Sequence, residues 1–289
     1  MRLFWLPEDC FCLLVGVSHA IADGSTYYRL VDELVTNATT TNMEDGSPTA
    51  AARTPLHWNN AALPTHEYAE GEKDAAALAG SEAFVVGILR NLLVQLFYPR
   101  GSNLIVLDKK AIHEKKLSMK DETSAYLSSN DIILAALAQA NANRQMCSVV
   151  RNDRKRMAHL EPHDAGNYLS FLVYPTSQGQ NPNELRRIAT AGSYFEKDTI
   201  PTSHLYSMSM MVVSSWATAQ ADYAVHPKGC STLLCHLPHP AFVQGLPLDV
   251  AVIFAASPDH LAVAHNFYSS YWTTESTALM ESISVTSSA

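Results

Sequence analysis

The apolar positions along the chain change their period several times. Cys10-Phe11-Cys12-Leu13-Leu14-Val15-Gly16-Val17 is an uninterrupted apolar run, bounded by Glu8 and Asp9 before it and by Ser18-His19 after it. A short run without alternation predicts a strand buried on both faces over residues 10–18. From Ser25 the period becomes helical: Tyr27, Leu30, Val31 and Leu34 fall on one side, Ser25 stands where a cap belongs, and Arg29 and Glu33 make an i,i+4 pair. Residues 37–82 lose the pattern. Asn37 to Asn42 is polar, and Gly46, Pro48, Pro55 and Pro64 break up the residues after it, so the stretch reads as a crossover linker.

Beyond the linker the pattern resumes. Apolar residues from Phe84 to Phe97 predict a buried helix over 83–98, Leu104–Leu107 a strand, and Asp108 to Lys120 a charged helix. Ser128-Ser129-Asn130-Asp131 caps a helix with the body Ile132 to Ala138. Short strands are expected at Ser148–Val150, Tyr168–Tyr174 and Met208–Val213, with a helix from Asn183 to about Ala191 between the last two. Asp249–Phe254 and Leu261–Phe267 read as a hairpin around Pro258-Asp259, and the Ser- and Thr-rich tail from about Glu275 is expected to fray. Strands and helices interspersed in this way define an α/β (α+β) protein.

Composition narrows the function classes. The chain has 289 residues, 47% hydrophobic and 17% charged, enough for a sizeable core. Its net charge of −8 and the lack of a basic run disfavour nucleic acid or an anionic membrane as partner. The N-terminal run loosely resembles a secretory signal, but it is short and comes after two acids, so it reads as a strand; no apolar run reaches the ~18 residues of a membrane span. Five cysteines without framework spacing are expected as thiols in a cytoplasmic setting. Cys230, Cys235, His236 and His239 are close in sequence, but structural zinc uses tighter pairs around a longer loop, so no metal is expected. No glycine-rich phosphate loop is present.

One short motif carries chemistry. His19-Ala-Ile-Ala-Asp23-Gly24 stands between the N-terminal strand and the helix after it. An imidazole accepts a proton near neutral pH, a carboxylate four residues on can brace the turn, and a glycine permits a sharp bend.

Several segments, in order, resemble the CoA-dependent acyltransferases of the chloramphenicol-acetyltransferase-like fold, nearest the BAHD and trichothecene-acetyltransferase type. They are the His19-to-Gly24 motif, Ser128-Ser129-Asn130-Asp131, Asp153-Arg154-Lys155-Arg156-Met157 with Gly166-Asn167, Ser214-Ser215-Trp216, and the Asp249–Phe254 strand with His265-Asn266-Phe267. The resemblance implies a mixed sheet with flanking helices. It implies His19 as general base, Asp23 in an ion pair with Arg154, Gly24 at the turn, and Ser214 and Trp216 on the acceptor side. It also implies acyl-CoA as co-substrate, an alcohol or amine acceptor, and no permanently bound cofactor.

Only eighteen residues precede His19, where the family has a half-domain. The expected organisation is therefore a remnant of that lobe over 1–40, the linker over 41–82, and the C-terminal lobe over 83–289. Asp222-Tyr223-Ala224-Val225-His226-Pro227 keeps only the acid and an aromatic of the family's Asp-Phe-Gly-Trp-Gly loop. Two alternatives stand beside the enzyme. One is a truncated, non-catalytic member that binds a small molecule or associates through the apolar edge of its N-terminal strand. The other is a condensation-type transfer from carrier-protein thioesters, disfavoured by Ser18 where such domains carry a second histidine.

Overall fold

The computed structural model describes residues 2–5, 11–17, 23–40, 57–58, 81–98, 100–121, 126–152, 154, 164–165, 169–191, 210–217, 246, 248–267 and 274–285. Their elements in chain order are β1 (Arg2–Trp5), β2 (Phe11–Leu14), α1 (Gly24–Thr40), β3 (His57–Trp58), α2 (Glu82–Phe97), β4 (Asn103–Asp108), α3 (Lys109–Met119), α4 (Ser129–Ala140) and β5 (Met146–Asn152). β6 (Asp164–Ala165), β7 (Leu169–Pro175), α5 (Thr176–Gly179), α6 (Pro182–Ala191), β8 (Met210–Ser215), β9 (Asp249–Ala255), β10 (His260–His265) and α7 (Thr274–Ile283) complete the order. The chain divides into two compact units. No described helix is long and apolar enough to cross a membrane.

The first unit draws on Met1–Thr65, Asn152–Leu169 and Thr218–Leu233. β1 and β2 pair antiparallel, Arg2 opposite Leu14 and Trp5 opposite Phe11. The strand expected over 10–18 is thus shorter, and it is not buried throughout: Leu14 and Gly16 are exposed. β3 and β6 form a short parallel pair. Among the described side chains of α1, over residues 24–34, Thr26, Tyr28, Val31 and Asp32 are buried, while Leu34 is exposed. The buried stripe is therefore rotated from the apolar one read in the sequence, because polar Thr26 and Asp32 turn inward. Arg29 and Glu33 do pair, at 3.6 Å.

The second unit draws on His66–Arg151, Ser170–Ala217 and Leu234–Ala289. It holds a six-stranded mixed sheet in the order β4-β10-β9-β8-β5-β7, so the expected mixed sheet with flanking helices is present. β4 and β9 each pair antiparallel with β10, and β8 lies parallel to both β9 and β5. Side chains alternate between its faces, as the pleat requires. Cys147, Met211, Val213, Ala251, Ile253, Leu261 and Val263 join α4 and α7 in the main core. Met146, Met210, Val212, Val250, Val252, Phe254 and Ala262 point to the opposite face. The near-continuous apolar sequence of β9 reflects burial on both faces.

α4 is apolar on all sides and lies inside the core, as such helices do. A capping box starts it: Ser128 Oγ accepts from Asp131 N at 3.2 Å, and Asp131 Oδ2 accepts from Ser128 N at 2.6 Å. Asp131 also accepts from Arg186 Nε, at 2.9 Å, and from Arg186 Nη2, at 2.5 Å. The tail expected to fray instead forms α7 and buries Leu279, Met280 and Ile283 against this core. Helical spacing of those three outweighs the Ser and Thr around them. α2 forms where the sequence places it, but only one stripe is covered; Leu89, Leu93, Leu96 and Phe97 face outward.

A buried carboxylate ties the ends of these elements together. Asp249, at the start of β9, accepts from Arg100 Nη1, from Arg144 Nε at 2.5 Å and from Asn141 Nδ2 at 3.4 Å. Next to it Asn266 Oδ1 accepts from Val250 N at 2.7 Å, and Asn266 Nδ2 donates to Leu248 O at 2.8 Å. The segment before β4, the turn after α4 and both strands of the hairpin are held at one point. Asp249→Asn removes the anion facing two largely buried guanidinium groups, and a loss of about 3–5 kcal/mol is expected in urea unfolding.

His265 ends β10 in the same region. It is buried, its Nδ1 accepts from Phe267 N at 3.2 Å, and its ring lies 4.8 Å from that of Phe267. Burial pushes its pKa from 6.5 down to about 4, against the smaller raising effect of Asp249. The unfolded chain therefore binds more protons at this site between pH 4 and 6.5. The contribution is fully present above the unfolded value and is lost as pH falls toward the folded one. Stability should rise across that window by at most about 1.4 kcal/mol per pH unit from this group. His265→Asn should flatten that part of a profile of thermal midpoint against pH.

Candidate functional site

The start of α1 is the best-defined polar site in the first unit. Asp23 precedes the helix and caps it, with Oδ1 accepting from Thr26 N at 2.9 Å. The cap is thus Asp23 rather than Ser25, because Asp23-x-x-Thr26 places the carboxylate over the third helical N–H. Gly24 is the first helical residue and is half-buried. Tyr27 Oη donates to Val15 O at 3.3 Å, tying α1 to the segment after β2. Tyr28 beneath it is fully buried, its ring edge-on to that of Tyr27 at 5.2 Å. Burial raises the pKa of both phenols, which stay neutral donors at working pH.

Arg154 reaches this cap from 131 residues away in sequence. Nη1 donates to Asp23 Oδ2 at 2.6 Å and Nη2 to Asp23 Oδ1 at 3.1 Å, a two-pronged ion pair. Nη2 also donates to Thr26 Oγ1 at 2.8 Å, Nη1 to Asn152 Oδ1 at 3.1 Å, and Nε to Asp164 O at 2.8 Å. All five guanidinium N–H groups are used, and the side chains of Asp23 and Arg154 are almost wholly buried. Asn152 Oδ1 accepts from Arg154 N as well, at 3.1 Å, an Asx turn that fixes where the side chain starts.

His19, the expected base, lies outside the described residues, as do Lys155, Arg156, Gly166, Asn167 and Cys230, Cys235, His236 and His239. The structure does bring Asp23 and Arg154 together. In the second unit it brings Ser214 and Trp216 together: Trp216 Nε1 donates to Ser214 Oγ at 3.1 Å. Trp216 packs with Phe254 and Ala262 and with Val250 and Val252 on one face of the sheet, so much of its ring is core. Ser215 Oγ donates to Asn130 Oδ1 at 2.9 Å. Sequence reasoning gives Asn130 only a capping part, and it passes over Thr26, Asn152 and Asp164. The Asp-x-x-Thr and Asn-x-Arg spacings are the available signals for Thr26 and Asn152; the Asp164 contact uses a backbone carbonyl and leaves no residue signature.

No protein-family model matches the chain, and no curated protein does. Solved structures do show similarity. The chain is similar to F. graminearum TRI101, solved with coenzyme A and deoxynivalenol, with a TM-score of 0.38 and 15% identity over 57% of this chain and 44% of that one. It is similar to vinorine synthase, with a TM-score of 0.47 and 14% identity over 93% of this chain and 62% of that one. It is also similar to the first condensation domain of the calcium-dependent antibiotic synthetase, solved with a substrate analogue, with a TM-score of 0.42 and 12% identity over 91% and 60%. The chain thus spans less than half the length of the first and under two thirds of the others.

The Asp23–Arg154 pair has a clear energetic signature. Asp23→Asn or Arg154→Leu should each destabilise the chain by about 3–5 kcal/mol, since either leaves a buried charge unanswered. The double variant should lose less than the sum of the two. Arg154→Lys should rescue little, because an ammonium cannot reproduce a five-donor planar fork. Urea unfolding of the four proteins measures the coupling.

Proposed function

We propose that the chain is an acyl-CoA-dependent acyltransferase that moves an acyl group from a CoA thioester to a hydroxyl or amine, with His19 as general base and a cytoplasmic setting. The observation that supports it best is the buried Asp23–Arg154 pair, which anchors the residue four positions after His19 at the start of a helix. That anchoring is what a base needs if it is to be held in one orientation by elements more rigid than itself. Asp23, Gly24 and Arg154 are structural in this reading, and the Asp23 carboxylate is committed to the helix cap and the arginine rather than to substrate.

The chemistry rests on the residue types. The imidazole of His19 takes the proton from the acceptor as its oxygen or nitrogen attacks the thioester carbonyl. The tetrahedral oxyanion collapses, the C–S bond breaks, and the imidazolium returns the proton to the departing thiolate, releasing CoA. Ser214 and Trp216 serve the acceptor side. The indole N–H of Trp216 donates to Ser214 Oγ, and in this reading the Ser214 hydroxyl donates to the oxyanion. A donor of that kind is worth about 2.7–4 kcal/mol where it reaches its target.

The test is release of CoA thiol from acetyl-CoA, read with a thiol-reactive dye across a panel of small alcohols and amines. His19→Ala should lower kcat/KM by about 10²–10⁴-fold with the unfolding midpoint unchanged. Full transfer by the alanine protein would overturn the reading.

A further inference from the structure

α2 is apolar nearly all round, and such a helix belongs between two partners rather than on a surface. One side has its partner. Ala83 and Gly87 are buried, Phe84 and Ile88 pack with Met146, Val173, Met210, Val212 and Leu248, and Gln95 Nε2 donates to Leu246 O at 2.6 Å. These contacts fix the rotation of the helix. They leave Val85, Val86, Leu89, Leu92, Leu93 and Leu96 on an outward arc of about 140° at 3.6 residues per turn. Phe97 closes that arc at 78% exposure, and Leu96 is 76% exposed.

We propose that this arc is the contact face of a homodimer, with α2 of one chain packed on α2 of a second copy. Three observations favour a second copy over another partner. First, Val85, Leu89, Leu92 and Leu96 are spaced four, three and four apart, the seam by which one helix packs on another of the same sequence. Second, the charges of the helix are few: Glu82 lies on the arc at its first turn, in line with Leu89 and Leu93, and Arg90 lies at its border. An antiparallel pairing of two copies keeps the two Glu82 carboxylates at opposite ends of the contact. Third, seven large apolar side chains exposed by 42–78% present, with their immediate rim, on the order of 800 Å², which is what one partner contributes to a standard interface. A symmetric dimer joined by one shared patch has this geometry.

Sedimentation velocity of the full chain over a range of concentrations tests the proposal. The expected result is a dimer that dissociates on dilution. Leu89→Glu with Leu93→Glu should give a monomer at every concentration, with the far-ultraviolet circular dichroism of the parent. Leu96→Lys, of opposite charge, should do the same and guards against a folding defect in the first variant. A parent chain that stays monomeric throughout would overturn the proposal. So would a dimer that survives both variants, or one abolished instead by Trp5→Glu in the β1–β2 hairpin.

Discussion

The first unit depends on one guanidinium group. Arg154 carries five donors that all point to fixed acceptors, supplied by the cap of α1, by Thr26 inside it, by Asn152 and by the Asp164 carbonyl. A buried cation is costly unless every donor is met. That cost makes the arrangement selective: a shift in any of the three segments leaves a buried N–H without an acceptor. The start of α1 and residues Asn152, Arg154 and Asp164 are therefore mutually determined, although more than a hundred residues separate them. Hydrophobic contacts alone tolerate sliding; a two-pronged pair with three further bonds does not.

Asp249 solves a similar problem in the second unit with the charges reversed. One anion meets two arginines and an amide. The carboxylate sits where β9 begins, and β9 is the strand through which the antiparallel half of the sheet, β4 and β10, joins the parallel half, β8 and β5. Pinning that end fixes the register of both halves, because a slip by one residue would exchange the two faces of every strand. The apolar residues of β9 would then leave the α4 face for the α2 face. Asp249 also acts on His265: its negative charge favours the imidazolium, but burial outweighs it and keeps that ring neutral.

Most of the fold was legible in the sequence because the second unit obeys simple periods. β9, β10, α4 and the Ser128 cap can be read from composition and spacing alone, and each forms within a residue or two of its expected span. The failures share a cause. The tail reads as frayed because Ser and Thr dominate it, yet three apolar residues at helical spacing suffice when a core is waiting for them. The apolar face of α1 reads as the buried one, and the structure buries Thr26 and Asp32 as well; Thr26 is drawn inward because its hydroxyl accepts from Arg154 and its N–H donates to Asp23. α2 reads as buried, and half of it is not. Periodicity reports that a surface needs covering; it does not say whether the cover comes from the same chain. Of the site, the Asp23–Arg154 pairing came from family resemblance, while the three groups that complete the arginine shell had no signal beyond local spacing.

The two clusters separate what a substitution can report. Position 23 is caught between roles: its carboxylate caps a helix, neutralises a buried arginine and stands next in the motif to His19. Any change there acts through stability before it acts through chemistry, since removing the anion frees a helix end and isolates a charge at once. A lost activity at position 23 is therefore ambiguous unless the folded fraction is measured alongside it. Position 19 carries the opposite expectation. A base owes its effect to a proton it holds rather than to a fold it supports, so its loss should leave the unfolding midpoint in place while transfer falls. The comparison of these two positions, four residues apart, distinguishes an enzyme from a folded relative that only keeps the motif's scaffold.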